Sequence, residues 1–251
     1  MASLTVSSIS DGDVRTHFVS TATVNWVILQ DDSGVTLIDG GYPGHASAVV
    51  ESLNRIGSAP EEIRGALLTH AHVDHLGGIA ALRRGHSFDV FADPDEVGHA
   101  RRDLLEQASP TDIARIAYRP RVLRWLSEVM PLGALDKTGV ADALPFTDLS
   151  ALPGSPVAVP THGHTRGHSA FVVGGGEIAV TGDALISGHM ISAVAGPQCI
   201  GHVFTHDVPA NEAAVASLAA LDATVVMPGH GPLLRGDIAV FVEQALTRSS
   251  D

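Results

Sequence analysis

The sequence predicts a mixed α/β fold in which two similar halves face each other across a cleft. Alternating or β-branched runs at 4–9, 23–29 and 35–38 are separated by clusters of Asp, Gly and Ser, the pattern of strands joined by turns. A second set of strand patterns returns at 157–159, 170–173 and 177–181. Each half then continues through a helix to a further strand that ends in histidine, which suggests two layers of the same construction packed on one another.

Taken in order, the first helix spans 45–56, where apolar residues recur at helical spacing and Gly57 provides a stop. A short buried strand at 65–68 leads to a histidine cluster, and 76–82 reads as a helix. From 94 to 143 the pattern is helical, broken at Pro110, Pro120, Pro131 and Gly133, and it contains Tyr118 and Trp125. This insertion is expected to form a cap. A helix at 210–221, a strand at 224–227 and a helix at 238–246 complete the chain. With no Pro/Ser-rich linker between the halves, 1–251 is expected to be one domain. The segment Gly40-Gly41-Tyr42-Pro43-Gly44 lacks the GxGxxG spacing of a dinucleotide loop and reads as a tight strand-to-helix turn.

The 251 residues are 45% hydrophobic, enough for a sizeable core. Lys and Arg number 15 against 28 Asp and Glu, and the resulting formal charge of −13 repels nucleic-acid phosphates. Arg83-Arg84, Arg101-Arg102 and the arginines of 119–124 are too short and interrupted to form a basic face. No run approaches the ~18 apolar residues of a membrane span, and 1–13 lacks the pattern of an export signal, so a cytoplasmic protein is expected. Cys199 stands alone, which excludes an internal disulfide framework and reads as a small buried hydrophobe. The expected partners are a small-molecule substrate and at most a second copy of the chain as a homodimer. Fourteen histidines beside two tryptophans and two tyrosines point instead to metal ligation.

Thr69-His70-Ala71-His72-Val73-Asp74-His75 places four metal-ligand side chains directly after a strand. In extended backbone His70 and His72 point to the same side and can share one ion. Asp74 and His75 fall where the chain turns into a helix, and a turn can aim them at a second ion. Three other strand patterns end in a His or Asp flanked by glycine: Gly163-His164-Thr165-Arg166-Gly167-His168, Thr181-Gly182-Asp183, and Pro228-Gly229-His230-Gly231-Pro232. Glycines allow the tight turns that gather side chains from separate strands.

These motifs, HxHxDH, GHTxGH, TGD and PGHGP in that order, resemble those of the metallo-β-lactamase-fold superfamily, and the resemblance runs from about residue 23 to 234. It implies a four-layer αββα sandwich with the metals at the edge between two sheets. It also implies that His70, His72 and His164 hold one metal and Asp74, His75 and His230 the other, with Asp183 bridging. Imidazole and carboxylate together suit zinc first, and also manganese or iron. Asp39 resembles an aspartate that supports the metal loops in the family.

A dinuclear site of this kind implies hydrolysis by a metal-bridging hydroxide, with Asp74 orienting it and passing its proton to the leaving group. Departures from relatives narrow the substrate. β-Lactamases of this fold lack an aspartate at the bridging position, glyoxalase II enzymes continue well past PGHGP into a basic helical region, and RNA-processing members add a nuclease domain. Lactones, esters and acyl thioesters remain the expected class. A mononuclear iron enzyme like the persulfide dioxygenases, using His70, His164 and Asp183, is the alternative, with β-lactam hydrolysis a further one. His162 and His168 flank the third motif, and His189, His202 and His206 fall in a region of substrate loops. Each also reads as an ordinary polar loop residue.

Overall fold

Trp26, Val27, Ile28 and Leu29 are all buried, and they alternate between two different cores, which sets the layering of the whole molecule. The computed structural model describes residues 4–248. Strands β1 (Thr5–Asp11), β2 (Val14–Ser20), β3 (Asn25–Asp31), β4 (Gly34–Ile38), β5 (Ile63–Leu67), β6 (Val90–Ala92) and β7 (Leu144–Pro145) form one sheet in chain order. Strands β8 (Val157–Pro160), β9 (Ser169–Val173), β10 (Ile178–Gly182), β11 (Val225–Pro228) and β12 (Leu234–Arg235) form the second, again in sequential order.

Between the sheets, Val27, Leu29, Ile38 and Leu67 pack against Phe171, Val173, Val180 and Met227. On the outer face of the first sheet, Trp26, Ile28, Leu37 and Leu68 meet Val49 and Leu53 of α1 (Ala46–Arg55) and Leu76 and Ile79 of α2 (Val73–Leu82). Ala170, Ala179 and Val226 cover the second sheet's outer face against α6 (Val208–Ser217) and α7 (Ile238–Thr247). The result is the expected αββα sandwich. Central strands covered on both faces read as unbroken hydrophobic runs, for which alternation is not needed.

The two halves repeat one unit. Strand β4 leads through α1 into the parallel strand β5, and β10 leads through α6 into the parallel strand β11. In the first unit Asp39 follows the leading strand and His70 lies beyond the second; in the other, Asp183 and His230 hold the matching places.

Helix α2 lies unusually close to the 39–43 turn. A Cβ on Gly78 would stand 1.9 Å from the Gly40 carbonyl oxygen, and Gly78 N–H instead donates to Gly41 O at 2.7 Å. Only glycine admits that approach. The turn therefore serves to dock α2.

Strand β2 was not expected, because Arg15, Thr16 and His17 interrupt its apolar pattern. Its His17 is buried and paid for by bonds of its ring nitrogens with Ser8 Oγ (2.8 Å) and Gln30 Oε1 (3.1 Å). Between β6 and β7 run α3 (Val97–Arg101), α4 (Pro110–Ile116) and α5 (Pro120–Val129). Pro110 and Pro120 open α4 and α5 at their first positions, where the missing N–H costs nothing. Helix ends after the short turn Met130–Leu132, stopped by Gly133 at φ +89°, so the expected helical pattern does not reach 143. Among the described residues no helix is long and apolar enough to cross a membrane. Cys199 is buried and unpaired.

Candidate metal centre

All seven expected ligands meet at one end of the seam between the sheets. His70 follows β5, His72 is the residue before α2, and Asp74 and His75 lie in the first helical turn, where the helix N-terminus favours a carboxylate. His164 comes from the loop between β8 and β9, Asp183 from the end of β10, and His230 from the end of β11. His70 Nε2 and His72 Nδ1 stand 3.2 and 3.1 Å from His164 Nε2. Asp183 Oδ2 is 3.6 Å from His164 Nε2 and 3.3 Å from His230 Nε2, and its Oδ1 is 3.4 Å from His75 Nε2. Asp74 Oδ2 lies 3.5 Å from His230 Nε2. The donor atoms group as His70, His72 and His164; His70, His75 and Asp183; and Asp74, His75 and His230.

The outer nitrogens show which lone pairs face inward. Thr69 Oγ1 donates to Asp39 Oδ2 at 2.7 Å, so it accepts from His70 Nδ1 at 3.0 Å and leaves Nε2 bare. His72 Nε2 donates to the Glu106 carbonyl, His75 Nδ1 to Asp39 Oδ2 (2.8 Å) and His230 Nδ1 to the Thr23 carbonyl (2.8 Å). In its neutral form each of these rings thus turns an unprotonated nitrogen to the centre. His75 Nε2, His230 Nε2 and Asp183 Oδ1 are buried without a hydrogen-bond partner. Bare nitrogens this close together repel unless a cation lies between them, so the residues fit a bound metal ion.

Electrostatics divide the site in two. Burial and neighbouring imidazoles hold His70 and His164 well below the usual histidine range, and burial followed by His99 lowers His72 to about 4. Burial also pulls on His75 and His230, but carboxylates outweigh it: Asp183 and Asp39 raise His75, while Asp183 and Asp74 push His230 up to about 10. The three-histidine side rejects protons. The carboxylate side calls for positive charge.

Asp39, at φ +63°, accepts from Thr69 N (2.9 Å), Thr69 Oγ1 and His75 Nδ1, which is the supporting place its resemblance implied. His168 lies outside the ligand groups: its Nε2 accepts from Asp183 N–H at 3.0 Å and its Nδ1 pairs with Thr161 Oγ1 at 2.8 Å, so it sets where Asp183 sits. His162 reaches Asp93 Oδ2 at 3.4 Å, away from the seven, and His202 and His206 are exposed. His189 lines the cavity over the centre, its ring 4.8 Å from that of His230.

Two positioning residues escaped the sequence reading. Glu96 is fully buried, and its carboxylate accepts from Ala71 N (2.7 Å), His99 Nδ1 (2.8 Å), Thr165 Oγ1 (2.7 Å) and Gly167 N (3.1 Å). It joins the first and third motif loops. Asn25 Nδ2 donates to Pro228 O (2.9 Å) and Gly231 O (2.8 Å), holding the last motif on β3. The available signal was an amide, Asn25, set in an otherwise apolar strand; Glu96, in Asp93-Pro94-Asp95-Glu96, carried none. Gly229 is required beside them, since a Cβ there would lie 2.3 Å from Asp183 Oδ1.

Residues 20–230 match the model of the metallo-beta-lactamase superfamily. The chain belongs to that superfamily and is a metal-dependent hydrolase. It is 26% identical over 210 residues to a "probable metallo-hydrolase" of Bacillus subtilis (YflN), covering 80% of this chain and 76% of the relative. Similarity to a hydroxyacylglutathione hydrolase of Shewanella oneidensis is 32% over 165 residues, 65% of this chain and 48% of that protein, so this chain spans about half of that relative's length. Among solved structures, a metallo-beta-lactamase of Cronobacter sakazakii bearing motif mutations superposes with a TM-score of 0.65 at 20% identity, covering 96% of this chain and 94% of that one. The metallo-beta-lactamase family protein TTHA1429 of Thermus thermophilus gives 0.63 at 21%, covering 96% and 77%. These likenesses show the fold.

Proposed function

We propose that the chain is a two-metal hydrolase that cleaves an ester-type carbonyl bond in a lactone, ester or thioester. The observation supporting it most is the cluster of His70, His72 and His164 nitrogens set beside Asp74, His75 and His230, with the Asp183 carboxylate between the two groups. The triad would hold one ion and the other three residues a second, with Asp183 touching both; this donor set suits zinc, manganese or iron. Ions bound there would supply Lewis acidity toward a carbonyl and a water that ionises near neutral pH.

The polypeptide supplies proton handling and orientation. Asp74 and Asp183 both line the cavity, but Asp74 has a side chain 17% exposed against 2% for Asp183, so it is the carboxylate with more access to substrate. It takes the proton of the attacking water and delivers it to the leaving group. His189 Nδ1 accepts from Ile191 N–H at 3.3 Å, which keeps its hydrogen on Nε2. Burial and then His230 lower its pKa to about 3, so it stays neutral and donates that N–H to a substrate oxygen. Tyr42, raised by burial and by the Asp74 and Asp183 carboxylates, keeps its hydroxyl proton beside Asp74.

Metal analysis of protein purified without chelator, with hydrolysis of lactones, thioesters, aryl esters and β-lactams measured in parallel, tests the reading. The expected result is about two ions per chain and turnover of an ester-type substrate. A single iron with oxygen consumption and no hydrolysis would overturn it.

A further inference from the structure

A cavity of about 840 Å³ opens from the metal centre, with His72, Asp74, Asp183 and His230 at one end. Its volume falls in the upper part of the ~300–1,000 Å³ range of small-molecule sites. The far walls are apolar: Ile113 of α4, Trp125, Leu126 and Val129 of α5, and Ile200 and Phe204 from the segment before α6. Trp125 packs edge-on to Phe204 with ring centres 5.7 Å apart, closing one side. Trp125, Tyr42, Val122 and Val129 form one buried cluster, so the wall is backed by a packed core.

Charge is nearly absent from these walls. Away from the metal end the lining holds one ionic side chain, Lys137, and no arginine. A glutathionyl group brings two carboxylates and an amine, and desolvating them unpaired would be costly. An uncharged apolar group loses nothing on entering and gains from leaving water.

We infer that this cavity is the subsite for a large, uncharged apolar group, so that the substrate is an ester-type compound with an acyl or aryl part of about eight carbons or more. The inference rests on the hydrolase reading for its reaction but not for its binding. Continuity with the metal centre names the occupant, since a group seated on Trp125 and Leu126 belongs to the same molecule whose carbonyl lies at Asp74.

Two measurements on the purified holoprotein test it. The first is kcat/KM for esters of one alcohol with acyl chains of two to twelve carbons, alongside a hydroxyacyl-glutathione thioester. Full burial of one methylene is worth about fourfold, so an increase of about tenfold or more from four to ten carbons is expected, with the glutathione thioester poorer than the ten-carbon ester. Ala117→Phe and Ala134→Phe, which fill the cavity, should cut the ten-carbon rate about tenfold and leave the two-carbon rate within about twofold at unchanged metal content. The second is binding of uncharged 1-alkanols from butanol to decanol, read by protein fluorescence in the parent and in Trp125→Phe. Affinity should climb with length, and the spectral response should shrink in the variant. A flat chain-length profile in both measurements, or a preference for the glutathione thioester, would overturn the subsite. Length-dependent binding without hydrolysis of any ester would support the subsite and overturn the hydrolase reading instead.

Discussion

Asp39 and Asp183 grip the same imidazole from opposite sides: Asp39 Oδ2 accepts from His75 Nδ1 at 2.8 Å, and Asp183 Oδ1 faces His75 Nε2 at 3.4 Å. One aspartate fixes the ring and its hydrogen, and the other shares its lone-pair side with the metal centre. Asp39→Asn is compatible with the left-handed backbone at that position. It should weaken metal retention by about ten- to a hundredfold, measured by chelator competition, because a neutral acceptor holds His75 less firmly. Retention equal to that of the parent would show Asp39 to be an ordinary turn residue.

Asp74→Asn keeps the size of the side chain and one oxygen but loses the charge and basicity. Hydrolysis of an unactivated ester or lactone should fall about a hundredfold or more. The loss should be smaller for nitrophenyl esters, whose leaving groups depart without a proton. Near-normal turnover of the unactivated substrate would remove Asp74 from proton transfer.

His189→Phe preserves the edge-to-face ring contact with His230 and deletes the Nε2–H donor. The expected outcome is a drop in kcat of about tenfold or more with metal content unchanged, since a donor aimed at developing charge acts mainly in the transition state. If KM alone rises, His189 is a wall of the cavity and not a donor.

Glu96 carries a stability prediction. Burial works against its ionisation, but hydrogen bonds from His99, Thr165 and Ala71 outweigh it and hold the carboxyl below the ordinary glutamate range. A depressed folded pKa means that the stabilisation is present above about pH 4.5 and is lost as pH falls toward the folded value. Glu96→Gln should cost about 1–3 kcal/mol at neutral pH in urea unfolding of the metal-free protein. It should also flatten the acid limb of stability. A parent-like acid limb in the variant would show that other carboxylates dominate it.

The motif residues were legible in the sequence because each follows a strand, directly for His70 to His75 and beside glycines for His164, Asp183 and His230, a pattern that survives without knowledge of packing. Strand β3 and the β10–β11 unit were legible as hydrophobic runs. Strand β2 was not, because the partners that satisfy His17 in the interior, Ser8 and Gln30, are supplied by other segments. Glu96 was hidden for the same reason: its four hydrogen bonds reach residues 3 to 71 positions away, and nothing local distinguishes it from a solvated acid. Pro110 and Pro120 were read as interruptions because a proline that breaks a helix and one that begins it look alike until the following turn is seen.

The repeated strand–helix–strand unit has a thermodynamic consequence. His70, His72, Asp74 and His75 belong to the first half of the sandwich, whereas His164, Asp183 and His230 belong to the second. An ion held by both sets is a crosslink between halves that are joined directly at the seam by main-chain bonds such as Ser169 N–H to Thr69 O (2.8 Å) and Asn25 N–H to Gly229 O (2.8 Å). Because such an ion would bind the docked halves in preference to the separated ones, its free concentration would set their cohesion: each tenfold rise above the dissociation constant would add up to about 1.4 kcal/mol. Metal supply would therefore set the stability of the folded chain as well as its turnover.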